Sequence, residues 1–202
     1  GVAQASRLRD SETRNRDGRA TVAIVGIGFL GALLTQLATA AGARVIAITR
    51  REFALQFARE GGAAHMITMD DHNRIIEEVR QLTGGKFCDV VIEAVGRQWP
   101  LDLSAELTRE RGRLVVAGYH QDGPRQVNMQ LWNWRGLDVI NAHERDPAIY
   151  LEGMREAVRA VESGTINPRP LYTHEFSLEQ LGNALNMSSE RPDGFMKALI
   201  RM

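Results

Sequence analysis

The sequence predicts an α/β fold: a doubly wound, parallel, six-stranded sheet followed by a small C-terminal α+β appendage. Three observations carry that prediction. From Ala20 to about Ser163, short strand-favouring runs alternate with helix-patterned segments, the rhythm of βαβ units with right-handed crossovers. The first run, Thr21–Val25, passes straight into Gly26-Ile27-Gly28-Phe29-Leu30-Gly31 and then into a long apolar-periodic helix. That strand–turn–helix context gives a G-x-G-x-x-G pattern its meaning and makes the fold of Rossmann type. Beyond Gly164 the rhythm stops, and Asn167-Pro-Arg-Pro170 reads as a linker.

Residues 1–19 read as a possible short helix and a charged, solvated arm running up to Gly18, with acids at Asp10, Glu12 and Asp17 offsetting its arginines. Strand one is Thr21–Val25. Helix one covers about 29–41, with Leu30, Leu33, Leu34, Leu37 and Ala38 on one face, and stops at Gly42. Strand two is Arg44–Thr49, and helix two runs over about 51–60 to Gly61-Gly62. Strand three is His65–Thr68. Asp70 or Asp71 caps helix three, which ends near Thr83. Strand four, 89–95, is largely apolar, as a strand covered on both faces should be. Helix four follows Pro100, and strand five is 112–118. A looser stretch, 119–135, holds Trp132 and Trp134. Strand six is 137–141, and helix five runs from Pro147 to about Ser163. The tail reads as a short strand at 171–176, a helix over 177–188 capped by Ser177, and a strand at 195–201. The division is therefore an arm (1–19), a dinucleotide-binding domain (20–165) and a C-terminal segment (166–202).

Composition removes several classes of function. Twenty-five basic and 25 acidic residues give a formal net charge of zero, so no positive field points to nucleic acid or an anionic membrane. The single cysteine, Cys88, forbids an internal disulfide and a cysteine metal cluster, and the histidines lack ligand spacing. No metal site is expected. No apolar run reaches transmembrane length, and the N-terminus lacks a signal-peptide core. A cytoplasmic protein is the expectation.

Ligands of open α/β sheets sit at the carboxyl ends of the strands, near the point where the strand order reverses. After strand one, Gly26 permits the tight turn, Gly28 allows close backbone approach to a pyrophosphate, and Gly31 lets the helix pack on the strand. The free amides of the helix's first turn, from Ile27 to Leu30, would face the phosphates. After strand two, where an acidic residue would hold the ribose hydroxyls of NAD, the chain has Thr49-Arg50-Arg51, 23 residues past Gly26. A hydroxyl and two guanidinium groups would instead accept a 2′-phosphate. NADP(H) is therefore favoured over NAD(H), although Arg50 and Arg51 also suit the start of a solvated helix. Ala94-Val95-Gly96 suits an apolar approach to adenosine or ribose. Gly118, Tyr119, Asn141 and His143 follow strands five and six, where the nicotinamide would be flanked. Tyr119, His120 and His143 are candidates for proton transfer, or simply hydrogen-bonded loop residues. Cys88 precedes a buried strand and reads as a small core residue. No catalytic residue is assigned.

The order of Val22-Ala-Ile-Val-Gly-Ile-Gly-Phe-Leu-Gly31, Asp89-Val-Val-Ile-Glu-Ala-Val-Gly96, Arg111-Gly-Arg-Leu-Val-Val-Ala-Gly118 and Thr173-His-Glu-Phe-Ser-Leu-Glu-Gln-Leu181 resembles the medium-chain dehydrogenase/reductase family of zinc-type alcohol and polyol dehydrogenases. The resemblance covers about 20–202. It implies a central cofactor domain, a C-terminal segment (166–202) that returns to a GroES-like catalytic lobe, Lys197 at a basic position near the pyrophosphate, and a dimer-forming edge at about 127–141. Leu131, Trp132 and Trp134 would supply an apolar interface there or else pack in the chain's own core. The family's zinc ligands and proton relay belong to the GroES-like lobe, which has no counterpart in these residues. The implied function is the NAD(P)-binding domain of an alcohol dehydrogenase-like oxidoreductase that transfers hydride between nicotinamide and a small alcohol or carbonyl, incomplete without the zinc lobe, and homodimeric. Two other readings stand beside it: a non-enzymatic NADP(H)-binding module, sensor or partner subunit, and a zinc-free reductase using Tyr119 or His143 as acid.

Overall fold

The computed structural model describes residues 18–202; the arm expected over 1–19 lies almost wholly outside them. Strands β1 (Thr21–Val25), β2 (Arg44–Thr49), β3 (His65–Thr68), β4 (Cys88–Glu93), β5 (Thr108–Val116) and β6 (Asp138–Asn141) form one parallel sheet in the order β3-β2-β1-β4-β5-β6. Helices α1 (Phe29–Ala40), α2 (Glu52–Glu60), α3 (His72–Leu82), α4 (Gln98–Leu107) and α5 (Met129–Arg135) connect them. The strand order reverses between β1 and β4, which sets the crevice of a doubly wound sheet there. Two apolar layers flank the sheet. Val25, Ile46, Ile48, Val91, Leu103 and Leu114 belong to one; Val22, Ile24, Val45, Ala47 and Val90 belong to the other. Alternate residues of the same strands thus feed opposite layers, as the period of two requires.

The first three strands have the expected bounds, and Asp71 caps α3 by accepting from the Arg74 amide at 2.7 Å. Several bounds differ from expectation: α4 begins at Gln98 and so contains Pro100 instead of following it, and the helix of the tail begins at Leu181 after a 3-10 turn at Leu178–Gln180. The buried face of α1 is Gly31, Ala32 and Thr35, not the leucine stripe; Leu30 is exposed and Leu33 and Leu34 are half-buried. Small residues let the helix lie close on the sheet, so the larger ones are pushed to its flanks. β4 stops at Glu93, because the Val95 amide turns back to the Glu93 side chain instead of continuing the ladder. β5 begins four residues early, at Thr108, with a register break opposite Cys88 and Val90. The looser stretch contains α5, capped by Asn128 accepting from the Leu131 amide at 3.0 Å and ended by Gly136 in the left-handed region. Leu131 and Trp132 pack on the chain's own core, whereas Trp134 is 85 % exposed.

Beyond β6, helix α6 (Pro147–Glu162) buries none of its residues, and Tyr150, Leu151, Met154, Val158 and Val161 stand exposed along it. Strands β7 (Tyr172–Ser177) and β8 (Lys197–Arg201) form a separate parallel pair, joined by α7 (Leu181–Glu190). β8 starts at Lys197 because Phe195 closes a turn, its amide donating to the Pro192 carbonyl. Gln36 fastens this tail to α1 through two bonds with the Asn167 backbone, at 2.6 and 3.2 Å.

One buried ion pair ties the amino ends of the central strands. Asp89 accepts from the Thr21 amide at 2.6 Å and from Arg109 Nε at 2.7 Å. Asp89→Ala removes the acceptor of the Thr21 amide and of Arg109 Nε, leaving the partly buried guanidinium only its bond to the Glu110 carbonyl. The expected loss of unfolding free energy is about 3 kcal/mol, read as a lowered urea midpoint with unchanged slope.

Candidate functional site

Three glycine-containing turns meet at the carboxyl ends of β1, β4 and β5, beside the strand-order reversal. In the first, Gly26 has φ +98° and its amide donates to the Ile48 carbonyl at 2.8 Å. A Cβ there would collide with Val95 Cγ2 and come within 3.2 Å of the Ala94 carbonyl carbon, so the glycine loop lies directly on the 94–96 turn. A Cβ on Gly31 would strike the Gly26 carbonyl. Gly28 caps α1 in extended conformation with no side-chain cap, and a Cβ there would meet nothing of the chain. Ile27 is buried. The first turn of α1 carries no acidic residue, so its amides and the helix dipole are uncompensated by the chain itself.

Two side chains from the tail frame this helix terminus. The Phe29 ring packs against Tyr172 at 5.8 Å, and Lys197 Nζ sits 5.5 Å from the Phe29 ring centroid. The tail therefore brings Lys197 to the glycine loop.

The loop after β2 divides its three polar residues. Thr49 is buried, Arg50 is exposed, and Arg51 donates from Nη1 to the Phe195 carbonyl at 2.6 Å. Burial pushes the Arg51 pKa down; nearby Arg191 and Arg50 push the same way, and Asp193 opposes them. Arg51 is thus a strut to the tail, and Arg50 is the guanidinium the loop presents to solvent. The contact of Phe195 with this loop, with Arg191 and Asp193 close to Arg51, had no signal in the sequence, since it joins elements far apart in the chain.

On the β4 side, Ala94 donates to the Val25 carbonyl at 2.8 Å, Val95 is partly exposed, and Gly96 has φ +81°. The β5 turn follows at Gly118, Tyr119 and His120. Tyr119 is 62 % exposed and its ring lies 5.1 Å from the His143 ring. The His143 amide donates to Asn141 Oδ1 at 3.0 Å, and both residues are exposed at the end of β6. His120 has a different place from the other two proton-transfer candidates. Its Nε2 lies 3.0 Å from Glu93 Oε2, and its Nδ1 accepts from Arg125 Nε at 2.9 Å. Both ring nitrogens are engaged within the protein. Glu93, fully buried, went unnoticed in the sequence; its one signal is an acid inside an otherwise apolar strand.

Among the described residues, no group of three or more His, Cys, Asp or Glu can hold a metal ion, and no helix is long and apolar enough to cross a membrane. A separate groove of about 320 Å³ lies at the far end of α1, lined by Gln36, Thr39, Phe57, Glu60 and Asn167 among others.

This geometry defines a doubly wound domain whose glycine loop lies beside the strand-order reversal. The zinc-binding dehydrogenase family model matches residues 30–161, and the chain belongs to that family, as an alcohol dehydrogenase-like oxidoreductase domain. An alcohol dehydrogenase of Cupriavidus necator is 28 % identical over 185 residues, covering 90 % of this chain and 49 % of that protein. An (R,R)-butanediol dehydrogenase of Neisseria gonorrhoeae is 31 % identical over 161 residues, covering 79 % and 44 %. A structure from Sinorhizobium meliloti, described as a zinc-binding dehydrogenase and bound to NADP, superposes with a TM-score of 0.79 at 25 % identity, covering 100 % of this chain and 56 % of that one. The chain spans about half the length of the curated relatives it matches.

Cys88 is fully buried, and burial, then Asp89, pushes its thiol pKa far up, against Arg44. Little thiolate forms below pH 9, and the thiolate is the nucleophile. Intact-mass measurement should show no iodoacetamide adduct on the folded chain at pH 8 and complete labelling in denaturant.

Proposed function

We propose that this chain is the nicotinamide-dinucleotide-binding part of an alcohol dehydrogenase-like oxidoreductase, and that it prefers NADP(H) to NAD(H). The observation that carries the reading is the uncapped N-terminus of α1, opening from a glycine loop into the crevice at the strand-order reversal. Gly28 leaves room for a close approach, and Lys197 adds a cation beside it. The bound cofactor would supply hydride chemistry between nicotinamide and an alcohol or carbonyl; the chain's residues bind and orient it. Amides of 27–30 would hold the pyrophosphate, and the end of β2 would hold the adenosine ribose. Ala94, Val95 and Gly96 would form the apolar wall. Gly118, Tyr119, Asn141 and His143 would flank the nicotinamide.

Arg50 carries the preference for the 2′-phosphate. It is exposed at the β2 end beside Arg51, whose own charged neighbours are Arg191, Asp193 and Arg50. Thr49, being buried, and Arg51, being tied to Phe195, support the loop more than they face a ligand.

The residues described do not fit a zinc site, so no step is assigned to a metal held by this chain. A catalytic lobe supplied by other residues would activate the substrate oxygen, with 166–202 returning to it. We further propose that a homodimer forms along β6, an edge strand with Val139 and the neighbouring Trp134 exposed, and that the protein works in a reducing, cytoplasmic setting.

Calorimetric titration with NADPH and NADH tests the preference. NADPH should bind at least about tenfold tighter, and Arg50→Ala should erase about tenfold of NADPH affinity while changing NADH less than about twofold. Equal binding of both by the unaltered chain would overturn the 2′-phosphate assignment.

A further inference from the structure

Glu93 is a fully buried acid at the end of β4, and its carboxylate touches both turns that wall the crevice. Oε1 accepts from the Val95 amide at 2.7 Å and from the Gly96 amide at 2.8 Å. Oε2 accepts from His120 Nε2 at 3.0 Å. The Glu93 carbonyl takes the amides of Ala117 and Gly118, both at 2.8 Å. One residue therefore holds the 94–96 turn with one oxygen and the 118–120 turn with the other.

The arrangement closes on itself. Arg125 donates from Nε to His120 Nδ1 at 2.9 Å and from Nη2 to the Gly96 carbonyl at 3.0 Å. The circuit runs Glu93, His120, Arg125, Gly96 and back to Glu93, and Asp122 braces it by pairing with Arg125 and Arg97. Because guanidinium only donates, Nδ1 of His120 accepts and Nε2 carries the proton. The turns are also pressed together sterically. A Cβ on Gly118 would lie 2.6 Å from Glu93 Oε2, and one on Gly96 would lie 2.5 Å from the Tyr119 carbonyl oxygen. Neither turn can move without breaking a bond to the shared carboxylate.

The circuit has a chemical consequence as well as a geometric one. The Val95 and Gly96 amides are spent on Glu93, so the β4 wall offers a ligand apolar surface and not anion-binding donors. The uncapped amides of α1 are left as the place for a phosphate.

We infer that Glu93 is the positioning residue of the nucleotide site: without touching the ligand, it sets the spacing of the 94–96 and 118–120 turns and so the width of the crevice. This rests on the cofactor-binding reading above. Both cofactors share the parts that would meet this wall, so the effect of Glu93 should not depend on the 2′-phosphate.

Glu93→Gln tests it. The side-chain amide would point a donor at His120 Nε2–H, and switching the imidazole tautomer would only move the clash to Arg125. Dissociation constants for NADH and NADPH should both rise about tenfold with their ratio unchanged. His120→Ala, at a half-buried position, should raise both by about threefold and serves if Glu93→Gln does not fold. Asp89→Asn, at the opposite ends of the same strands, controls for lost stability. With every variant fully folded at 10 °C, it should lower the melting temperature and leave both constants within about twofold. In the unaltered chain, the imidazole nitrogen shifts of His120 should report Nε2–H. Unchanged affinity in both Glu93→Gln and His120→Ala, or a loss confined to one cofactor, would overturn the positioning role alone. Failure of the unaltered chain to bind either cofactor would overturn the site reading and this inference together.

Discussion

The structure depends on how closely α1 comes to the end of β1. Gly31 sits in the first turn of the helix, and any Cβ there would meet the carbonyl oxygen of Gly26. Removing both side chains lets helix and strand touch through backbone. That contact fixes the direction of α1, presents its amides at the carboxyl edge of the sheet, and buries Ala32 and Thr35. It also carries the Gly26 turn against Val95, so that β1 and β4, the two strands at the order reversal, share one surface. The crevice is a product of this packing and of the topology together; neither would build it alone.

β4 is anchored at its two ends by two acids with different duties. Asp89 takes the first amide of β1 and the guanidinium of Arg109, closing the amino ends. Glu93, four residues on, gathers the turns at the carboxyl ends. Each is covered, and each is matched by donors, which is what a buried acid requires. The apolar residues between them fill both layers of the core. A single strand thus holds together the fold at one end and the crevice at the other. The tail adds a third attachment. Gln36 with Asn167, Arg51 with Phe195, and Phe29 with Tyr172 and Lys197 clasp it to the first two helices. α6 is the exception, an amphipathic helix whose apolar stripe meets none of the described core.

What could be read from the sequence was what is local. The bounds of β1, β2 and β3, the glycine loop and the Asp71 cap follow from residues within a few positions of one another. The family, too, showed in its motifs. What escaped was set by partners distant in the chain. Apolar periodicity put Leu30 on the inner face of α1, but close packing chose Gly31 and Ala32 instead. α5 was hidden because seven residues are too few for an apolar period of 3.6 to repeat, and its Asn128 cap and Gly136 stop supply the missing signal. Arg51 read as a phosphate ligand or the start of a solvated helix, and its bond to the Phe195 carbonyl joins elements that no local pattern connects. His120 stood between proton transfer and a hydrogen-bonded loop role, and its bonds to Glu93 and Arg125 could not be read from local pattern.

The carboxyl ends of β1, β2, β4 and β5 are proposed to form one nucleotide site. Amide chemical shifts of the labelled chain, followed during addition of NADPH, test it most directly. The largest changes should fall on 27–31, 49–50, 94–96 and 118–119, with the amino ends of the strands unmoved. Changes concentrated instead at Gln36, Thr39 and Asn167, around the groove at the other end of α1, would contradict it.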